Sequence, residues 1–233
     1  MIPFRDNIPS RSFPIITILI ILLNTLVFFY ELALGRYLEP FVFHYGVVPA
    51  AVFAWPNSDL PVSAVTLPFI TSMFLHGGWL HLIGNMWYLW IFGDNIEDRL
   101  GHFTYLIFYL LCGIGAGIVH TVLNYNTTVP SIGASGAIAG VLGAYLVSYP
   151  GARVLTLIPI FIFMQIIEIP ALIVLGLWFI MQFFYGAAAL AATTANAGGV
   201  AWWAHVGGFL LGMILVGLFP RKDRPRYGYS GRF

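Results

Sequence analysis

Residues 14–34 read PIITILIILLNTLVFFYELAL. Crossing the hydrocarbon core of a bilayer takes about 20 consecutive, mostly apolar residues in a helix, and this run reaches that length. It is long for the hydrophobic region of a signal peptide and has no clear small-x-small cleavage site, so it is read as a first span. The rest of the chain agrees. Its 233 residues are 60% hydrophobic and only 8% charged, with a mean hydropathy of +0.89. A soluble domain carries about 25% charged residues. The apolar residues come in long runs rather than in alternation, so the spans are helical and not barrel strands. The net charge of +1 argues against nucleic acid as a partner and leaves the lipid bilayer. The lone cysteine, Cys112, is read as core.

Five further spans are expected, over roughly 79–96, 103–123, 134–149, 169–186 and 201–219. The apolar stretch 154–186 is too long for one helix, and Pro159 and Pro170 interrupt it, because proline breaks helices. Residues 152–167 are therefore read as an interfacial or partly inserted connection. Residues 35–78, rich in aromatics and with five prolines, are read as lying on the outer bilayer surface. The small, uncharged stretch 187–199 reads as a flexible lid or a plain linker. The fold class is thus an all-α membrane protein, a six-transmembrane-helix bundle with both termini cytoplasmic. It forms a single domain over 1–233, with a core of about 14–219 and a basic tail at 220–233. Charge supports the count. With the N-terminus inside, Arg5, Arg11, Arg99, Arg153, Arg221, Lys222, Arg224, Arg226 and Arg232 fall inside, and only Arg36 of the ten basic residues falls outside. That is the positive-inside pattern. The short termini and the lack of a visible targeting segment point to a prokaryotic plasma (inner) membrane.

Polar side chains within spans are costly and default to functional hypotheses. Ser135 opens the fourth span, His205 lies near the start of the sixth, and His81 and Asn85 lie in the first turns of the second. On this topology all four sit at one depth near the outer face, and His81 and Asn85, four apart, share a helix face. Acyl transfer needs such a set. A serine hydroxyl must give up its proton to a base as it attacks. A neutral imidazole can take it, and the resulting oxyanion needs donors already in place. Ser135 is the candidate nucleophile and His205 the base. His81, Asn85 and the Ser135 backbone N–H are the oxyanion donors. No acid lies on these outer stretches, so a Ser-His dyad is expected. Gly136 and Gly140, and again Gly208 and Gly212, form small-xxx-small pairs that would let spans four and six approach closely.

These residues resemble those of a known family. GASG with Ser135, AHVGGFLLG with His205, HGGWLHLIGN with His76, His81 and Asn85, and EDRLG with Glu97 and Arg99 are similar to motifs of the rhomboid intramembrane serine proteases, in the same order. The resemblance implies a serine endopeptidase that cuts transmembrane helices of membrane-protein substrates near their outer ends. It implies a water-filled cavity open to the outside and no metal or cofactor. His76 is read as a hydrogen-bonding group of the cavity or as a headgroup contact. The spacing of five between His76 and His81, with no cysteine or acid beside them, is unsuited to a metal. Glu97 and Arg99 are read as ties of the inner loop. Two family features are missing: Trp55 is followed by Pro56 rather than arginine, and the position one turn after the serine is Ala139 rather than tyrosine. Trp202 or Trp203 is left to orient His205, unless both face lipid. Trp178, Phe179, Phe183 and Phe184 form a lipid-facing surface or a gate for substrate entry. A non-catalytic helix-binding relative and a small transporter are the other classes considered. The presence of both serine and histidine disfavours the first, and the lack of an inverted repeat the second.

Overall fold

The structure, a computed structural model, describes residues 2–160, 163–191 and 200–220. The basic tail from Arg221 onward and most of the 187–199 connection lie outside the described residues. Six long helices form a bundle: α1 (Ile15–Ala33), α6 (Trp79–Leu100), α7 (His102–Leu123), α8 (Ser135–Ser148), α9 (Ala171–Ala191) and α10 (Trp202–Leu218). Between α1 and α6 lie four short helices, α2 (Leu38–Tyr45), α3 (Pro49–Ala54), α4 (Ser63–Thr66) and α5 (Pro68–Thr71). Pro49 and Pro68 each open a helix, where the missing N–H costs nothing. Three helices are long and apolar enough to cross a bilayer by length and composition: α1, α7 and Ala171–Leu190 of α9. Their outward faces carry exposed leucine, isoleucine and phenylalanine side chains, such as Leu22, Leu26, Phe103 and Phe184, as lipid contact requires.

The centre of the bundle is α8. Gly136 through Tyr145 are all buried, enclosed chiefly by α6, α7 and α10. At 1.5 Å per residue its 14 residues reach roughly 21 Å, less than the ~30 Å of a hydrocarbon core. Glycine permits its close packing with α10. A Cβ on Gly208 would collide with the Gly136 carbonyl, and one on Gly212 with the Gly140 backbone. Gly101, at φ +80°, separates α6 from α7, a conformation glycine adopts without the Cβ penalty.

The all-α expectation does not hold. A three-stranded antiparallel sheet closes one end of the bundle, in the order β1 (Ile2–Asp6), β2 (Arg153–Ile160), β3 (Phe163–Pro170). The expected connection 152–167 is its hairpin, with Arg153 opposite Pro170 and Leu157 opposite Ile166. The runs RVLTLIPI and FMQIIEIP are rich in β-branched residues, and apolar content alone does not separate a strand from a buried helix. Proline blocked the helix and stands here at strand positions: Pro159 pairs near the hairpin end, and Pro170 ends β3 just before α9.

Two polar clusters join this end to the helices. Asp6 accepts a hydrogen bond from the Tyr145 hydroxyl of α8 and one from Asn95 Nδ2 at 3.1 Å. Burial pushes the Asp6 carboxyl above its usual range, and the Tyr145 bond opposes this. Glu97, fully buried, accepts from the backbone N–H of Ile16 and Thr17, both at 2.8 Å, and from Thr17 Oγ1 at 2.7 Å. Its other contact is His102 Nδ1 at 2.5 Å. Glu97 thus caps the N-terminus of α1, whose first N–H groups have no partner within the helix.

Candidate active site

The site lies at the end of the bundle away from the sheet, where α6, α8, α9 and α10 converge. Ser135 is the first residue of α8. Just before it, Gly133 has φ +122° and donates its N–H to the Ser72 carbonyl at 2.8 Å. A Cβ at Gly133 would lie 2.7 Å from His81 Cε1 and Nε2, and 3.7 Å from Asn85 Nδ2. The loop carrying the serine therefore runs directly against the two α6 side chains expected to join it. Only glycine satisfies both the backbone angle and the space.

His205, in the first turn of α10, is buried. Its Nε2 stands 2.7 Å from Ser135 Oγ. The close packing of α8 on α10 carries the base to the hydroxyl. The other ring nitrogen, Nδ1, lies 2.7 Å from Oε1 of Gln182 in α9. Trp178, one turn earlier on α9, tilts over the imidazole with ring centroids 5.7 Å apart. Trp202 meets the ring edge-on at 6.3 Å, so one of the two tryptophans expected beside His205 is there. Trp203 instead donates Nε1–H to the Gly186 carbonyl.

Asn85 and His76 form a second pair. Asn85 Nδ2 donates to His76 Nε2 at 3.0 Å. The His76 backbone N–H in turn donates to the Glu31 carboxylate of α1 at 3.1 Å. His76 is buried, which does not suit a headgroup contact. Burial, and to a lesser degree the neighbouring His81, lowers its pKa to about 4. It is therefore neutral near pH 7, and a bare Nε2 can accept from the amide. His81 Nδ1 accepts from the Gly77 N–H at 3.3 Å, leaving its Nε2 side toward Gly133.

The constellation can carry out acyl transfer in outline: a hydroxyl on a base, with side-chain donors close to the nucleophile's loop. Residues 64–222 match the family model of the rhomboid domain. The chain belongs to the rhomboid family. It is 40% identical over 72 residues to Rhomboid-like protein 11, chloroplastic, of Arabidopsis thaliana, covering 31% of this chain and 25% of that one. It is 32% identical over 169 residues to Presenilin-associated rhomboid-like protein A, mitochondrial, of Danio rerio, covering 68% and 40%. It is 31% identical over 160 residues to RHOMBOID-like protein 5 of Arabidopsis thaliana, covering 69% and 45%. The chain spans less than half the length of each of these relatives. The rhomboid domain and the apolar helices make this an integral, multi-pass membrane protein. The relatives are plant and animal proteins with organellar names among them, and they lend no support to a prokaryotic plasma membrane.

The four side chains expected at one depth, Ser135, His205, His81 and Asn85, do lie around the loop that carries the serine in this rhomboid, while the places of two others differ from or are absent from the expectation. Trp178, expected in a lipid-facing surface or a gate, instead tilts over the His205 imidazole. Gln182 was overlooked, although it is the one amide in the apolar run 171–186. The rule that a polar residue in a span demands a reason was enough to single it out.

Proposed function

We propose that this rhomboid is an intramembrane serine endopeptidase that cleaves transmembrane helices of membrane-protein substrates near the outer face of the bilayer. The observation that carries the reading is the 2.7 Å contact of Ser135 Oγ with His205 Nε2. Ser135 Oγ attacks the scissile carbonyl carbon while its proton passes to Nε2. The carbonyl oxygen becomes an oxyanion, held by His81, Asn85 and the Ser135 N–H. When the C–N bond breaks, Nε2 returns the proton to the leaving amine and an acyl-enzyme remains. Water, giving one proton to the same nitrogen, then attacks the ester carbonyl; the C–Oγ bond breaks and Nε2 returns that proton to Ser135 Oγ, restoring the hydroxyl and releasing the acid. No group in this scheme is a metal or a cofactor.

The topology we infer has α1, α6, α7, α8, α9 and α10 as six spans of a single domain over 1–233. Both termini are cytoplasmic and the sheet lies on the cytoplasmic side, in line with the distribution of basic residues. The shortness of α8 supports a nucleophile set below the outer surface, where a segment of a substrate helix must unwind to reach it.

The test is labelling by a fluorophosphonate probe in detergent, with cleavage of a single-span substrate in vesicles alongside. Wild-type protein should label and cleave, and Ser135→Ala and His205→Ala should do neither. Labelling retained in full by Ser135→Ala would defeat the hydrolase reading. A wild type inert in both assays would leave a rhomboid that binds helices without cutting them.

A further inference from the structure

The neutral imidazole of a base has one N–H and one lone pair, and catalysis needs the lone pair on the nitrogen that faces the nucleophile. The serine hydroxyl can both donate and accept, so by itself it does not choose the tautomer. Here the second ring nitrogen is not free: Oε1 of Gln182 lies 2.7 Å from His205 Nδ1. Both side chains are only 7% exposed, so water competes little for either atom.

We propose that Gln182 is a positioning residue for the base: its amide oxygen accepts the Nδ1–H of His205 and so holds the Nε2 lone pair on Ser135 Oγ. This rests on the reading of Ser135 as nucleophile and His205 as its base. An amide oxygen only accepts, so this contact selects the Nδ1–H tautomer. The opposite tautomer would turn an N–H toward the hydroxyl and could take no proton from it. When Nε2 receives the serine proton, the ring becomes an imidazolium and its Nδ1–H donates from a charged group. Such a bond is stronger than the neutral one, so the contact favours the transition state over the ground state. Trp178, four residues before Gln182, lies on the same face of α9 and covers the ring. One helix thus fixes the imidazole by both an edge and a face. A carboxylate in this place would have to be buried as a charge, at far greater cost than an amide.

Three measurements test the proposal. In protein carrying 15N-labelled histidine at about pH 8, above the ordinary imidazole range, His205 is expected to be protonated on Nδ1 and bare on Nε2. Gln182→Met removes the acceptor while keeping the bulk. It should lower kcat about 10- to 100-fold, part of what a positioned base contributes, with KM little changed. Gln182→Glu restores an acceptor. It should recover most of kcat and shift the acid limb of the kcat profile to higher pH by about one unit, because a carboxylate favours the imidazolium. His81 and His120, the other titratable groups acting on His205, are common to all three proteins and leave this comparison unaffected. An Nε2–H tautomer, a wild-type kcat in Gln182→Met, or a Gln182→Glu enzyme as slow as Gln182→Met with an unmoved limb would each overturn the proposal. The tautomer measurement needs no turnover. Wild-type activity no higher than the Ser135→Ala blank would count against the protease reading, while the tautomer still decides whether Gln182 orients the ring.

Discussion

Gly212 of α10 lies so close to Gly140 of α8 that a Cβ on Gly212 would fall on the Gly140 backbone. Two turns earlier along α10, the same seam holds His205 against Ser135. Gly212→Ala should therefore destabilise the bundle by about 1–3 kcal/mol, the usual cost of overpacking, and lower turnover by moving the base away from the hydroxyl. Gly217→Ala is the control on the same helix, because nothing lies within 4 Å of its added Cβ. It should be neutral or slightly stabilising. Thermal unfolding in detergent with parallel turnover measurements compares the two.

Asn85→Ala removes a donor proposed for the oxyanion. Turnover should fall about 10²–10³-fold with KM nearly unchanged, because the interaction strengthens only as the tetrahedral intermediate forms. His76→Leu, which leaves the Asn85 amide without its Nε2 partner, should lower turnover in the same direction but less. A KM-dominated loss in Asn85→Ala would mean that the amide binds substrate instead.

Glu97→Ala leaves two backbone N–H groups of α1, the Thr17 hydroxyl and His102 without their acceptor. The expected loss is about 3 kcal/mol, read as a fall in the unfolding midpoint. Hydrogen exchange at Ile16 and Thr17 should rise first, since their amides lose the cap. The sequence marks Glu97 as a tie but not what it ties, because a carboxylate's acceptor role does not say which helix terminus it will meet.

Asp6 gives a dependence on pH. Burial raises its pKa in the folded protein above the 3.8 of an exposed carboxyl. The folded state then binds the proton more tightly than the unfolded chain does. The Asp6 contribution to stability is full below the unfolded value and is lost as pH rises through the folded one. Asp6→Asn keeps an acceptor for Tyr145 without the charge. The difference in unfolding midpoint should move in favour of the variant as pH rises through that window and then level off. A difference constant with pH would refute this account.

Much of the bundle can be read from composition along the chain. The runs 14–34, 103–123 and 201–219 differ from α1, α7 and α10 by only a residue or so at either end, because a long apolar segment in lipid must satisfy its own backbone as a helix. The seam of α8 and α10 can be read too, since small-xxx-small spacing on two helices is a local pattern with one geometric use. The hairpin β2–β3 could not be read in this way. Its runs are as apolar as a span, and what makes them strands is pairing with each other and with residues 2–6.

Local sequence thus carries which segments become long helices, which glycines let two of them touch, and which serine and histidine are available. It does so because hydrophobic length and side-chain size act within a few residues. Folding in three dimensions decides which side chain faces which. Gln182 reaches His205 Nδ1 across 23 residues and Asp6 reaches Tyr145 across 139. A hydrogen bond needs its partners within about 3 Å and in the right orientation, a condition that depends on how the helices pack and not on the order of residues along the chain.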